Sequence, residues 1–514
     1  MSSDPGLDRD QPRIIAALED GSAVGAGHPL RRIDTHMSHL FLGAERAYKL
    51  KRALRHPFAD MTSMEGRRVA CEAELAVNAQ LAPGLYEGVS PVVQDRHGAI
   101  RVGGDGDPID WVVVMRRFPD GALLSEMAQT NTLTWETVEE AVKAVAGFHA
   151  AQPPTTSTGH TADYRRILAG LRETEAQGAA ALGVAPASSA LFEALERSLT
   201  RLSPLIEARR ERGHVRRGHG DLHLRNICRF EGRILPFDAL EFDPALATAD
   251  VIYDIAFLLM DLRAQGLDDL ANSAMNAYWD TTGQDDEALA LLPFFMALRA
   301  AVRMAVSVEA GDLVEAARYR ALGCDLLEVL HPQLVAVGGL SGTGKSTLAR
   351  AIGGALPGPC GARRLRTDGL RKALAGKAET ERLATHAYEP AARAAVYRVL
   401  AQRVQAALEA SSSVIADATF REDPARAAIE AAAGRHGFLG LWLRAGTDTR
   451  VGRVARRRGD ASDATATVAL EQIEPGEIGW RIIDAARPAE VVAAEVRRLL
   501  ETRRQPNSPQ TSKT

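Results

Sequence analysis

A glycine-rich loop between a predicted strand and a predicted helix is the feature that most constrains how this chain folds. The segment QLVAVGG is typical of a short buried strand, and G-L-S-G-T-G-K-S-T follows it, ahead of a helical stretch. In that context the glycines let backbone N–H groups turn toward a phosphate, and the helix N-terminus adds partial positive charge. A glycine-rich turn that arises by chance is rarely both preceded by a strand and followed by a helix. The residues predicted to bind nucleotide phosphates here are Gly339, Ser341, Gly342, Thr343, Gly344, Lys345, Ser346 and Thr347.

The residues downstream of this loop suggest what the site does. We expect Lys345 to act catalytically on the β- and γ-phosphates and Ser346 to hold Mg²⁺. Asp368 and Asp417 close two further strand candidates, RRLRTD and SVIADAT, and ligands of parallel sheets lie beyond the carboxyl ends of the strands. Asp368 is the candidate proton acceptor and Asp417 a candidate metal residue. The alternatives are that Asp368 caps a helix and that Asp417 is a strand-end turn residue.

Arginines follow in two places. Arg371 lies three residues after Asp368, where it would grip an anionic acceptor. A second group precedes GDASDA and would form a mobile lid that neutralises transition-state charge; the alternative is a solvated basic face. The predicted lid residues are Arg453, Arg456 and Arg457.

A second constellation lies upstream, in H-G-D-L-H-L-R-N and the later P-F-D. In kinase-type phosphoryl transfer an Asp accepts or orients the acceptor hydroxyl, an Asn five residues on binds Mg²⁺, and a later Asp bridges Mg²⁺ to the phosphates. Asp221, Asn226 and Asp238 have that spacing. We therefore predict Asp221 as catalytic and the other two as metal ligands. Glu241 either assists metal binding or is structural.

This second site also needs a lysine on a strand and a carboxylate on a helix. MSHLFLG and ERAYKLK predict a β-hairpin, which is followed by a helix over 63–82. Lys49 and Glu74 are the predicted pair, with Lys51 and Glu72 as the alternatives. Met115, in the strand candidate WVVVMRRF, is predicted near the adenine, although a core methionine is the competing interpretation.

Composition limits the classes of function. The 62 basic and 66 acidic residues give a net charge of −4, and 5% of residues are aromatic, which argues against a nucleic-acid-binding protein. The sequence has no run of about 18 apolar residues and its first stretch, MSSDPGLDRDQPR, is acidic and polar, so we expect neither a membrane span nor a signal peptide. The four cysteines are far apart, as in proteins of a reducing cytoplasm. The expectation is a cytoplasmic enzyme with small-molecule acceptors; its oligomeric state does not follow from the sequence.

Two known families resemble the two halves. Residues 333–500 resemble the small P-loop kinases, in the broad group of gluconate kinase, polynucleotide 5′-hydroxyl kinases and zeta-toxin sugar-nucleotide kinases. Residues 30–325 resemble the aminoglycoside phosphotransferase and choline kinase-like family. The motifs that carry this resemblance are HGDLHLRN and LPFDALEFD. RIDTHMSHLF has no glycine triplet, which points away from protein kinases. The order of the two halves resembles that of bacterial fusion proteins in which a phosphotransferase-like half precedes a P-loop half. The family name of the first half does not imply that aminoglycosides are its substrates.

The resemblance implies a multidomain fold: an α+β, protein-kinase-like (aminoglycoside phosphotransferase-like) domain followed by an α/β P-loop NTPase domain with a parallel sheet. The predicted parts are an N-terminal extension 1–27, a phosphotransferase-like domain 28–330 with lobes 28–118 and 119–330, a P-loop domain 331–503, and a disordered tail 504–514.

The predicted function is phosphoryl transfer from ATP, with Mg²⁺, to hydroxyl groups of small molecules such as sugars or amino sugars, at two nucleotide sites. One alternative is that a single half is active and the other is a regulatory ATP-binding module. The other alternative is a polynucleotide 5′-hydroxyl kinase, which would need a basic, aromatic-lined groove.

Overall fold

A computed structural model of the chain describes residues 10–56, 59–241, 247–378, 381–456 and 462–504. By contacts it divides into two compact units. Unit 1 contains residues 1–167 and 203–261, and unit 2 contains residues 168–202 and 262–514. The predicted tail is outside the described residues except for Arg504, which ends a helix.

Unit 1 begins with a helix and a sheet. The elements are α1 (Gln11–Glu19), β1 (Arg31–Asp34), β2 (Ser38–Leu42), β3 (Arg46–Lys51), β4 (Arg55–His56), β5 (Ala59–Asp60), α2 (Met64–Leu81), β6 (Tyr86–Gln94), β7 (Ile100–Val102) and β8 (Asp107–Arg116). The six longer strands form an antiparallel sheet in the order β1-β2-β3-β8-β6-β7. The predicted hairpin is present as β2 and β3, with Leu40 opposite Lys49.

Helices cover both faces of this sheet. On one face, Ile14 and Leu18 of α1 pack with Phe41 and Leu50, so part of the predicted N-terminal extension belongs to the core. On the other face lies α2, which begins where the Ser63 hydroxyl accepts the N–H of Gly66. Such a cap satisfies a donor that the first helical turn leaves unpaired. The sheet thereby places the lysine-bearing strand β3 and the glutamate-bearing helix α2 in one layered structure.

The rest of unit 1 is mainly helical. Its elements, some of which continue into unit 2, are α3 (Leu124–Gln129), α4 (Trp135–Ala151), α5 (Thr161–Ala181), α6 (Ser189–Glu211), β9 (Val215–Arg217), β10 (Ile227–Phe230), β11 (Arg233–Pro236), β12 (Thr248–Asp250) and α7 (Val251–Ala264). Two short antiparallel pairs, β9 with β12 and β10 with β11, frame the loops that carry the predicted catalytic residues.

Besides parts of α5, α6 and α7, unit 2 contains three further helices and then an alternating α/β region. The elements are α8 (Asp268–Thr282), α9 (Leu292–Glu309), α10 (Leu313–Leu326), β13 (Gln333–Gly339), α11 (Lys345–Gly353), β14 (Arg363–Arg366), α12 (Thr367–Leu374), α13 (Pro390–Glu409), β15 (Val414–Asp417), α14 (Asp423–Ala432), β16 (Gly437–Arg444), α15 (Thr447–Ala455), α16 (Ala466–Glu471), β17 (Arg481–Asp484) and α17 (Ala489–Arg504).

The five strands β13 to β17 form a wholly parallel sheet in the order β14-β15-β13-β16-β17. Its central strands are continuous apolar runs because helices cover both faces. Val335, Ile415 and Leu441 are fully buried in this core. The parallel sheet confirms the predicted fold class. The division by contacts groups α8, α9 and α10 with this sheet, whereas the sequence placed the domain boundary at 330/331.

One stretch of the described chain, Asp286–Glu309, is long and apolar enough to cross a membrane by length and composition, with 72% of its apolar window buried in the protein. Arg299 and Arg303 interrupt this stretch, so the chain still has no uninterrupted apolar run of about 18 residues.

Candidate active sites

Two lysines of β3 share one glutamate of α2. Lys49 Nζ lies 2.8 Å from Glu74 Oε1 and also contacts a carboxylate oxygen of Asp238. Lys51 Nζ lies 2.5 Å from Glu74 Oε2 and 2.5 Å from Glu241 Oε1. Glu74 thus joins both lysines, and each lysine holds a second carboxylate from the segment after β11. Glu241, left open between a metal ligand and a structural residue, is buried and paired with Lys51.

At the centre of this cluster, neighbouring opposite charges affect the pKa values of Lys49 and Glu74 more strongly than burial does. Burial disfavours the charged form of Lys49, but the Asp238 and Glu74 carboxylates outweigh it and hold the pKa of Lys49 well above its usual value. Burial likewise opposes the charge on Glu74, but the two lysines lower its pKa to about 2. At Glu241 burial dominates and raises the pKa. Lys49 and Glu74 are therefore charged at neutral pH.

The two lysines differ in access to solvent. The side chains of Lys49 and Asp238 are 12% and 39% exposed, whereas those of Lys51 and Glu241 are 1% and 4% exposed. A phosphate or a metal ion arriving from solvent reaches Lys49 and Asp238 first. The exposures favour Lys49 over Lys51 for the phosphate contact.

The predicted catalytic loop is held by Asp254 of α7. Its carboxylate accepts the backbone N–H of His219 at 2.9 Å and that of Gly220 at 2.7 Å. Asn226 Nδ2 donates to Asp221 Oδ2 at 3.0 Å, which brings two predicted functional side chains together. The Asp221 side chain is 38% exposed, so a substrate hydroxyl has access to it. Sequence reasoning missed Asp254, although it lies in the helix-like DVIYDIAFLLMDL that follows the motif.

Asp238 lies in the irregular segment after β11, which is held by two side chains that the sequence did not single out. Its φ of +61° is in the left-handed region, and its backbone N–H donates to the Tyr86 hydroxyl oxygen at 3.2 Å. The next N–H, of Ala239, donates to Asn78 Oδ1 at 2.9 Å. Asn78 lies one helical turn after Glu74, and this i, i+4 spacing is a signal that sequence reasoning had available.

Met115 and Glu72, which the sequence also suggested for this site, contact residues other than the two lysines. Met115 lies in β8 opposite Ala47 and is buried in an apolar cluster, so its place beside an adenine stays a prediction. Glu72 is half exposed and contacts Arg68 on its own helix. Of the two glutamates considered for Lys49, the structure brings Glu74 to it.

The phosphate loop connects β13 to α11. Gly342 and Gly344 have φ of +84° and +92°, which glycine adopts at little cost. A Cβ at Gly342 would lie 2.4 Å from the Arg450 carbonyl oxygen, so only glycine fits without a shift. Lys345 Nζ lies over the loop and donates to the Leu340 carbonyl at 3.1 Å. The lysine is therefore held by the backbone of its own loop, while distant side chains contact other parts of the loop, as where the Ser341 N–H donates to Gln472 Oε1 at 2.7 Å.

A cavity of about 980 Å³ opens beside the loop. Six of the eight predicted loop residues are on its wall; Gly339 and the buried Thr343 are not. The other predicted residues on the wall are Asp368, Arg371, Asp417 and Arg453.

Ser346 and Asp417 meet at the phosphate loop. Ser346 Oγ donates to Asp417 Oδ2 at 2.5 Å, and Arg366 Nε lies 3.5 Å from the same oxygen. A hydroxyl and a carboxylate are both oxygen ligands of the kind Mg²⁺ prefers. Among the described residues, no group of three or more His, Cys, Asp or Glu side chains is arranged to hold a metal. The chemistry of these donors fits Mg²⁺ held together with a phosphate.

The cavity wall is rich in arginine. Arg371 Nη1 lies 2.9 Å from Asp368 Oδ1, and its guanidinium stacks over Tyr388 with 4.8 Å to the ring centroid. Arg382 and Arg421 are also on this wall, and within the described chain no side chain or carbonyl pairs with either guanidinium. The wall around Asp368 therefore has donors available for an anionic group.

Asp463, which the sequence did not single out, links two parts of the wall. It accepts the Tyr388 hydroxyl at 2.6 Å and the Leu383 N–H at 3.1 Å, and it lies 3.2 Å from Lys372 Nζ. No spacing pattern marks this residue in the sequence.

The predicted lid arginines are distributed unevenly. Arg453 lines the cavity and donates to the carbonyls of Thr343 at 3.3 Å and Ala485 at 2.9 Å. Arg456 follows the last residue of α15, is exposed and is not among the residues of the cavity wall. Arg457 lies outside the described residues.

Comparison with known proteins assigns the two regions. Residues 63–292 match the phosphotransferase enzyme family, and residues 334–475 match the AAA domain family of P-loop proteins. Uncharacterized proteins of Mycobacterium bovis and Mycobacterium tuberculosis are 28% identical over 475 residues, covering 89% of this chain and 92% of each relative.

Two solved structures illustrate the range of structural likeness. A choline kinase from Cryptosporidium parvum Iowa II is 12% identical, with a TM-score of 0.38, over 58% of this chain and 87% of that chain. A sugar kinase from Janibacter sp. HTCC2649 is 22% identical, with a TM-score of 0.25, over 33% of this chain and 95% of that chain.

The family matches confirm the resemblance drawn from HGDLHLRN and from the glycine-rich loop. Each of the two predicted domains matches one family model, and each contains the lysine predicted from its sequence. The protein is therefore a kinase-type phosphotransferase in which a phosphotransferase enzyme family domain is fused to a P-loop domain.

Proposed function

We propose that the protein transfers the γ-phosphate of ATP to hydroxyl groups of small molecules, with one nucleotide site in each of its two family regions. The observation that carries this proposal is that each region groups a lysine, a pair of metal-type oxygen donors and a further, partly exposed carboxylate. These are the parts that kinase-type phosphoryl transfer needs. We also propose a cytoplasmic location, where ATP is available and the cysteines stay reduced.

In the phosphotransferase region, Lys49 is the proposed phosphate contact, with Glu74 holding it in place. Asp221 accepts the proton of the acceptor hydroxyl, since its carboxylate is exposed and Asn226 orients it. Asn226 and Asp238 are the proposed holders of Mg²⁺. When bound, Mg²⁺ neutralises charge that develops on the phosphates.

In the P-loop region, Lys345 and the backbone N–H groups of the loop hold the phosphates, and Ser346 with Asp417 holds Mg²⁺. Asp368 lines the same cavity and is the proposed proton acceptor. Its partner Arg371, with the uncommitted Arg382 and Arg421, favours an acceptor that carries a carboxylate or phosphate. Arg453 is the proposed lid residue that neutralises transition-state charge.

The test is ATP turnover by the full-length protein against a panel of acceptors. The panel contains sugars, amino sugars, aminoglycosides, nucleosides, sugar acids and sugar phosphates. Wild type is compared with Lys345→Ala and Asp221→Ala. We expect each acceptor-dependent rate to fall about 10²-fold or more in one variant and to stay unchanged in the other, because each residue serves one site.

Matched controls remove an exposed lysine or aspartate outside both sites, Lys377→Ala and Asp120→Ala, and should behave as wild type. The proposal of transfer fails if ATP binds at both sites but no acceptor raises turnover. The proposal of two separate sites fails if either variant removes every activity while the protein remains folded.

A further inference from the structure

One buried aspartate, Asp286, lies in the residues that match the phosphotransferase family. Its side chain nevertheless forms ion pairs with the parallel-sheet region of unit 2. Asp286 precedes α9 and lies inside the matched range 63–292. Its side chain is 1% exposed. Arg363 Nε of β14 lies 3.2 Å from Asp286 Oδ1, and Arg403 Nε of α13 lies 2.5 Å from Oδ2. One carboxylate therefore joins the edge strand of the parallel sheet to a helix that packs beside it.

Helix α8 completes the same contact through the backbone of β14. Asn276 Oδ1 accepts the N–H of Arg364 at 2.7 Å, and Asn276 Nδ2 donates to the Ala362 carbonyl at 3.0 Å. Asn272 Nδ2 donates to the same carbonyl at 2.8 Å. An edge strand normally leaves such groups unpaired. Here amide side chains of α8 take the place of a further strand.

The packing around these amides is close. A Cβ on Gly353 would lie 2.3 Å from Asn272 Oδ1, and one on Gly354 would lie 2.5 Å from Asp269 Oδ1. The end of α11, the helix that follows the phosphate loop, thus fits against α8 only because these two residues lack side chains. The contact is a built part of unit 2 and not a loose surface association.

Asp286 joins β14 to α13, and both elements lead to residues of the cavity wall around Asp368. β14 ends at Arg366, two residues before Asp368. α13 places Arg393 and Tyr397 on the cavity wall. A shift of either element would change the distance between the proposed proton acceptor and the rest of this wall.

We infer that Asp286 is a positioning residue for phosphoryl transfer at the P-loop cavity, although its sequence belongs to the phosphotransferase match. The inference rests on the proposed function of that cavity. Removing the carboxylate charge leaves Arg403 with no ion-pair partner among the described residues and leaves Arg363 with Asp280 alone. Unpaired buried charges move toward solvent or toward new partners, and the elements that carry them move too.

The first test uses Asp286→Asn in the full-length protein, with kinetics measured for the P-loop acceptor found in the panel. We expect KM for that acceptor to rise about tenfold, while the Kd for MgATP at the P-loop and the rate of the phosphotransferase region stay within about twofold of wild type. Asp286→Glu should restore part of the loss. Asp285→Asn makes the same charge change at the exposed neighbour and should leave all values unchanged.

A second readout does not depend on an acceptor. In the presence of MgATP, hydrogen exchange of residues 363–374 should accelerate in Asp286→Asn relative to Asp285→Asn, while protection of residues 339–347 is retained. If Asp286→Asn does not fold, Arg403→Gln leaves the Asp286–Arg363 pair intact and should produce a smaller effect of the same kind.

The inference is overturned if Asp286→Asn matches Asp285→Asn in KM and in exchange. Equal losses in both regions and in MgATP binding also overturn it, because they indicate general unfolding. Absence of any P-loop turnover in wild type defeats the proposed function instead, and the exchange experiment then decides the positioning role by itself.

Discussion

The two lysines proposed to meet ATP phosphates are held in different ways. Lys49 contacts Glu74, 25 positions away in the chain, and Asp238, 189 positions away. Lys345 donates to the carbonyl of Leu340, five positions earlier in its own loop. The contacts of the first lysine come from side chains of a helix and of the segment after β11, whereas the hydrogen bond described for the second comes from the backbone of its own loop.

This difference predicts different sensitivities. The assembled site depends on buried charges that must remain mutually paired, so a change in one side chain affects the fold of unit 1. The loop site depends on backbone conformation, so its lysine is replaceable without loss of stability, but its glycines are not. Substitutions of matched type in the two sites can therefore separate catalysis from folding.

The largest expected effect is at Glu74. Glu74→Ala leaves Lys49 and Lys51 each short of a buried carboxylate, and should lower the free energy of opening of unit 1 by about 3–5 kcal/mol. Hydrogen exchange of the β3 and α2 amides measures this quantity. Lys345→Ala should change the stability of unit 2 by less than about 0.5 kcal/mol.

Glu72→Ala is the control for Glu74→Ala, because Glu72 lies on the same helix, is half exposed, and contacts only Arg68 in the described chain. Its effect should be within about 0.5 kcal/mol. Equal stability of the two variants would contradict the view that the lysine cluster is held by buried charge.

An intermediate effect is expected at the glycines of the phosphate loop. Gly344→Ala meets no atom closer than 3.8 Å, so it should cost only the left-handed backbone strain of about 1–2 kcal/mol. Gly342→Ala adds a clash with the Arg450 carbonyl and should cost more. Exchange of the β13 and α11 amides measures both, and β3 and α2 should not respond. Similar costs for the two variants would show that the clash relaxes freely.

The smallest expected effect is on the reactivity of a lysine. The raised pKa of Lys49 keeps its amine protonated, so acylation at pH 8.5 should be slower than at the exposed Lys377. Glu74→Gln removes one stabilising carboxylate, which lowers the pKa of Lys49 and raises the fraction of reactive neutral amine, by roughly tenfold for each unit that the pKa falls.

Mass spectrometry after brief labelling of folded protein measures this ratio for each lysine. Glu72→Gln serves as the matched variant, since it changes the charge of the same helix without touching Lys49. Unchanged labelling of Lys49 in Glu74→Gln would argue that burial, and not the carboxylate, limits its reaction.

The same difference explains how far the sequence could predict each site. The loop motif and the H-x-D-x-x-x-x-N motif are contiguous, and their residues were found because spacing alone defines them. The sequence predicted Glu74 ahead of Glu72, and in the structure it is Glu74 that contacts Lys49. Lys51 could be foreseen, because it shares a strand face with Lys49, but its partner Glu241 could not.

Some elements carry no signal in the sequence. β17 is four residues long and mostly exposed, so it lacks the apolar run that revealed β13, β15 and β16. Asp463 and Asp286 act through contacts with residues far away in the chain, and neither has a motif around it. The fold class followed from periodicity and from the resemblance, whereas the division of the helices between the two units depends on packing that no local pattern records.

The backbone at Asp238 has a consequence for how this chain can change over generations. A non-glycine residue with a φ of +61° is held in a sparsely populated conformation. Glycine would adopt it freely, and asparagine adopts it more readily than most residues. If selection acted on stability alone, glycine would replace aspartate at this position, because it removes the backbone strain. The carboxylate beside Lys49 would then be lost. Retention of aspartate here in a newly sequenced relative would thus indicate selection for chemistry, and glycine there would mark a lineage that has given up the reaction while keeping the fold.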